Sequence, residues 1–139
     1  MKPFAKLLYI VIVLAVAGLI AGIYLYNEPQ KNMRRQRADF ALTATQLQSE
    51  FVSDEPGANQ KYIGKTIEIT GKITSVNIKS DKVVSIILET SDKMSSVICT
   101  FRESMDPHEI DTMKPVTVRG ELSGFLMDVL LNNCVLLKQ

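Results

Sequence analysis

From Lys65 to Ile73 the chain alternates without a slip, with Ile67, Ile69, Gly71 and Ile73 on one side and Thr66, Glu68, Thr70 and Lys72 on the other. An extended strand sorts residues with a period of two and a helix does not, so this segment has one face for a core and one for solvent. Gly71 leaves a gap in the inward set and marks a bulge or a sharp bend. The surrounding stretch, Ala58 to Ile78, sets a theme that the downstream sequence repeats, and the expectation is a small, strongly bent antiparallel barrel.

The first strand is expected from about Lys65 to Ile78. Its inward set changes parity between Ile73 and Val76, which requires an extra residue near Thr74 or Ser75. Ser80-Asp81 turns into a second strand, Lys82 to Thr90, and Ser91-Asp92-Lys93 into a third, Ser96 to Phe101. Asp106-Pro107-His108-Glu109 then supplies a cap, a first-turn proline and an acidic residue, the start of a short helix. Strand chemistry resumes at Lys114, turns at Ser123-Gly124-Phe125-Leu126 and ends in the apolar run Met127 to Leu137, as expected of a strand covered on both faces. Upstream, Thr43 and Gln46 have the spacing of a capping box, and Ala44, Leu47, Gln48 and Phe51 share a helical face. A helix is expected from Ala44 to Val52, stopped by the turn residues Asp54-Glu55-Pro56-Gly57.

Ahead of this domain stand 19 consecutive uncharged residues, Leu7 to Leu25. As a helix at about 1.5 Å per residue they span roughly 28 Å, close to the hydrocarbon thickness of about 30 Å. Tyr9, Tyr24 and Tyr26 suit the interfacial belts. A cleaved secretory leader is the rival reading, because Ala15-Val16-Ala17 has a small-x-small pattern; the apolar run continues for eight more residues, which favours an uncleaved anchor. The expected organisation is therefore a transmembrane anchor at 1–26, a basic juxtamembrane linker at 27–42 in contact with membrane lipid, and a folded domain at 43–139. Lys2 and Lys6 compete with Lys31, Arg34, Arg35 and Arg37 for the cytoplasmic side. A short charged N-terminus before a single span tends to stay inside, so the expectation is an inner-membrane protein with an extracytoplasmic domain.

Residues 1–37 carry a net charge of +5 and residues 38–139 a net charge of −4. An acidic domain is a poor non-specific ligand for polyanions, although a local basic patch is compatible with it.

Three strands, a short helix and a two-strand hairpin is the order of the five-stranded Greek-key barrel known as the OB-fold. Leu42-Thr43-Ala44 to Leu47, Ala58-Asn59 with Tyr62, Gly64-Lys65, Gly71, the Val97-x-Cys99-x-Phe101 run and Gly124 to Asp128-Val129 ending at Cys134 resemble the tRNA-anti-like family of OB-fold proteins over about residues 40–137. The resemblance implies an all-β domain with minor helices, found in small bacterial membrane-anchored or envelope proteins, and a likeness to nucleic-acid-binding folds. An OB-fold binds across the outer faces of its second and third strands, between the loops that border them. Here that surface would include Lys72, Lys79, Lys82, Arg102 and Phe125, with single-stranded nucleic acid or another oligomeric ligand as the partner. Aromatic platforms are few: there is no Trp, and only Phe125, in a turn, is an attractive exposed candidate. The alternative is an envelope protein-interaction domain that binds no nucleic acid.

Cys99 and Cys134 fall in strands three and five, which are neighbours in such a barrel. They are either two buried thiols or, in an oxidising compartment, a disulfide. His108 is placed at the surface, among acidic residues better explained by capping. There is no nucleophile elbow, phosphate loop, HExxH or C-x-x-C, and hence no sequence sign of an enzyme, metal or cofactor.

Overall fold

The computed structural model describes residues 3–27 and 31–139. Lys2 and the Glu28–Gln30 part of the expected linker lie outside the described residues. The chain divides into two compact units, one ending at Lys31 and the other spanning Asn32 to Gln139. The first is the helix α1, Pro3–Tyr26, with no buried residue, and it is long and apolar enough to cross a membrane.

In the second unit, the strand β1 (Phe40–Thr43) leads into the helices α2 (Ala44–Ser53) and α3 (Glu55–Tyr62). The strands β2 (Thr66–Gly71), β3 (Ile73–Lys79), β4 (Lys82–Leu88) and β5 (Val97–Met105) follow. A single 3-10 turn at Pro107–Glu109 precedes β6 (Val116–Leu126) and β7 (Asp128–Lys138). The strands form one sheet in the order β1-β2-β6-β7-β5-β4-β3. Two neighbour pairs are parallel, β1 with β2 and β5 with β7, and the rest antiparallel.

Two expectations are corrected. The sheet has seven strands, not five, and it does not close into a cylinder. One added strand arises because the long first strand breaks at Lys72 into β2 and β3, which pair with different neighbours, β6 and β4. The other is β1, pinned to the start of β2 by paired hydrogen bonds: Asp39 N donates to Thr66 O over 2.8 Å and Thr66 N donates to Asp39 Oδ2 over 2.9 Å. The region expected to be linker up to residue 42 thus contributes most of an edge strand. The margins β1 and β3 are not paired with each other.

The bend at Lys72 follows Gly71, where a Cβ would stand 3.2 Å from Ala44 Cβ and 3.4 Å from Leu88 Cβ, so glycine lets the α2 N-terminus and β4 approach. The parity change downstream appears as a register shift between Ile73 and Ser75. Thr43 and Gln46 form the expected capping box on α2. The Asp54–Gly57 stretch, however, is not a plain turn. Asp54 caps α3 by accepting from Gly57 N, and Pro56 sits in its first turn, where a missing N–H costs nothing. The β6–β7 hairpin also turns later than expected, at Met127, which takes φ +69°.

Leu47, Phe51 and Tyr62 from the helices pack with Ile67, Ile69, Ile86, Leu88, Val118, Leu122 and Leu131 from the strands into one core. Each fully buried large apolar side chain contributes about 1.5–3 kcal/mol. The helices therefore cover one end of the sheet, leaving the outer face of β4 and β5 open to solvent.

Candidate functional site

That open face is built by strand alternation. Val76, Ile86, Cys99 and Leu131 lie level across β3, β4, β5 and β7 and belong to the core side. The neighbouring row, Ser75, Ile87, Ile98 and Leu130, points the other way, and its three aliphatic members are only half-buried. Along β5 the same outward set continues from Ile98 through the exposed Thr100 and Arg102.

At the far end of β5 lies a concave pocket of about 580 Å³, bordered by outward Arg102 and by the core residues Phe101 and Cys134. Arg102, Lys82 and Arg34 line it, with Glu103, Asp106 and Glu109 among the other lining residues. Lys82 Nζ lies 3.7 Å from Asp106 Oδ2. The Asp106 carboxyl is held below its ordinary range, first by the hydrogen bond from His108 N (3.0 Å) and also by the Lys82 charge, so it stays ionised and partly neutralises the lysine. Cation and anion sides together suit a ligand that combines an anionic group with hydrogen-bond donors.

Of the residues expected from sequence, Lys82 and Arg102 meet in this pocket, and Lys79 is paired level with Lys82 across the β3–β4 hairpin. Lys72 is elsewhere, lining a separate depression with Thr43, Glu89 and Pro115. Phe125 is half-buried and stacks on Phe51 at 5.2 Å and 23°, so it is committed to the helix-sheet contact rather than free as a platform for a base. Cys99 and Cys134 are both buried thiols. The neighbouring Cys99 thiol, and then burial, push the Cys134 thiol far above its ordinary range, so Cys134 does not serve as a thiolate nucleophile in the folded domain.

Arg34 escaped the sequence reading because it belongs to the basic run beside the apolar helix. Its place depends on Arg119, whose Nη1 donates to the carbonyls of Met33 (3.2 Å), Arg34 (3.4 Å) and Gln36 (2.8 Å). Nη2 of Arg119 meets Glu68 Oε2 at 3.0 Å. Met33 is buried beneath this clamp. Together these contacts hold residues 33–36 against the domain.

At the opposite end of β6 and β7, Leu126 and Met127 are 78 % and 69 % exposed, beside Met94 (77 %) and Val52 (58 %). Ser95 Oγ donates to Met127 O, and Ser96 donates to Asp128 Oδ1 from both N (2.7 Å) and Oγ (2.8 Å), so the two loops that carry this apolar tip are tied together. Among the described residues no group of three or more His, Cys, Asp or Glu is placed to hold a metal ion.

A β-rich domain with a pocket lined by both cations and carboxylates fits a binding module. The sequence matches the tRNA_anti-like family over residues 1–136, and the chain belongs to that family. No curated protein matches it significantly. Among solved structures, a "putative nucleic acid-binding lipoprotein" from Klebsiella pneumoniae shares the fold at a TM-score of 0.55 and 14% identity, covering 74% of this chain and 100% of that one. A "putative aspartyl-tRNA synthetase" from Leishmania major is similar at a TM-score of 0.42 and 12% identity, where the match spans 79% of this chain and 22% of the other, too slight a likeness to carry an argument.

Proposed function

We propose that the chain is a single-pass inner-membrane protein that displays an OB-type domain outside the cytoplasm as a non-catalytic binding module for single-stranded nucleic acid. The convergence of Arg34, Lys82 and Arg102 on one pocket at the end of an open sheet face carries the reading. An extended ligand along β5 would place apolar groups on Ile87, Ile98 and Leu130 and a phosphate among the three cations. The family and the lipoprotein described as nucleic-acid-binding support the ligand class, and the length and composition of α1 support the anchor. The lack of an exposed aromatic platform on this face favours weak, phosphate-dominated binding with little base preference.

Fluorescence anisotropy of labelled single-stranded DNA and RNA with the full chain in detergent at low salt tests this. Binding that falls at least tenfold in the double variant Lys82→Glu, Arg102→Glu supports it; no binding by the wild type, or equal binding by the variant, overturns it. The second reading, an envelope protein-interaction domain, is favoured by the apolar tip of Val52, Met94, Leu126 and Met127. There Leu126→Asp, Met127→Asp would abolish partner capture and leave nucleic-acid affinity unchanged. A C-terminal topology reporter decides the side of the membrane.

A further inference from the structure

We propose that Cys99 and Cys134 form a disulfide that welds β5 to β7. The position of the pair in the sheet gives the bond its consequence. The β5–β7 ladder is where the meander β3-β4-β5 meets the β1-β2-β6-β7 half of the sheet, and the chain itself crosses between the halves at Lys72 and again between β5 and β6. Cys99 is level with Leu131 and Cys134 with Phe101, and the register slips between these two pairs, so the thiols are near neighbours across the seam on its core side. Gly120 on β6 makes room for the Cys134 side chain on this side of β7. A Cβ there would come within 2.5 Å of Cys134 Sγ, so the glycine keeps clear the space the sulfur occupies. Cys99 is 0% and Cys134 1% exposed, and the interior of the domain shields the pair from solvent reductants.

The bond requires a thiol-disulfide oxidant. One cysteine thiolate attacks the oxidant's disulfide, forming a mixed disulfide and releasing one oxidant thiol. The second cysteine thiolate then displaces the other oxidant thiol, so the two protein sulfurs lose two electrons and two protons and the oxidant gains them. With both sulfurs enclosed in the folded domain, exchange takes place before the core closes. The inference rests on the extracytoplasmic placement proposed above, since that compartment supplies such an oxidant.

The full chain recovered in membranes should be denatured in the presence of iodoacetamide, then reduced and labelled with N-ethylmaleimide. Both cysteines are expected to carry only the second label, and without reduction the tryptic peptides Met94–Arg102 and Gly120–Lys138 should be linked. Both cysteines carrying the first label, in a chain whose topology reporter lies outside, overturns the proposal. Refolding the reduced full chain in detergent with a glutathione redox buffer separates pairing from compartment: linked peptides support the pairing, and free or singly glutathionylated thiols overturn it. Reductant should lower the Tm of the bridged chain by on the order of 10–20 °C, and should leave the Tm of a Cys99→Ala, Cys134→Ala chain unchanged. An unchanged Tm on full reduction of the wild type counts against the bond even where the double variant fails to fold.

Discussion

Arg119 uses one guanidinium to satisfy three backbone carbonyls and a carboxylate, at 18% side-chain exposure. Replacing it with Met keeps the bulk and removes every polar contact, leaving Glu68 without this partner. The expected loss is about 2 kcal/mol, the scale of charged hydrogen bonds at a partly buried site. Trypsin cleavage after Arg34, Arg35 and Arg37 should accelerate well before the domain unfolds, which limited proteolysis of the full chain would show. Glu50 makes a smaller, titratable contribution. Its carboxylate accepts from Tyr62 Oη (2.8 Å) and Lys61 Nζ (3.0 Å), and the Tyr62 hydrogen bond above all, against some desolvation, holds it below the ordinary carboxyl value of 4.5. A depressed folded-state value means the contribution is full above about pH 4.5 and is lost as pH falls through the lower folded-state value. Because the side chain is 39% exposed, the effect is under about 1 kcal/mol. Thermal melts from pH 6 down to pH 3 should converge for wild type and Glu50→Gln.

At the scale of elements, Thr43 closes β1 and caps α2 at once, accepting from Gln46 N while Gln46 Oε1 accepts from Thr43 N. Thr43→Ala should cost about 0.5–2 kcal/mol in the full chain's thermal unfolding, and Thr43→Ser should restore most of it. Gly120→Ala drives a methyl against Cys134 Sγ and to within 3.0 Å of Asn132 O, for a loss of about 1–3 kcal/mol. Pairing it with Cys134→Ala should recover part of that loss, a coupling that a double-mutant cycle measures. The first of these devices was also legible in the sequence, because a capping box is a local code. α3 was not legible: its buried residues are Ala58 and Tyr62 alone, too few to print a period, and Pro56-Gly57 reads equally well as a turn or as a helix start. β1 is four residues long and its partner lies more than twenty residues on, so nothing local announces it. Arg102 and Lys82 could be nominated from the resemblance to an OB-fold and the surface it implies, whereas Arg34 reaches the pocket through a contact with Arg119 that spans 85 positions.

For the whole molecule, charge is divided between a basic stretch at residues 1–37 and an acidic remainder, and within the second compact unit Arg34, Lys82 and Arg102 line one pocket. Binding of single strands should therefore weaken steeply with salt. The slope of log K against log salt should flatten by about 0.7 for each cation removed, a dependence that titrations between 50 mM and 200 mM salt would resolve. The parallel pairing of Val97–Phe101 with Val129–Cys134 also fixes an order of events. While β5 awaits β7, its free edge and the aliphatic side chains of the meander stand unshielded, and hairpins on either side can form first. The half-sheet ending in β5 therefore stays adhesive until the last strand, the one carrying Cys134, has been laid against it.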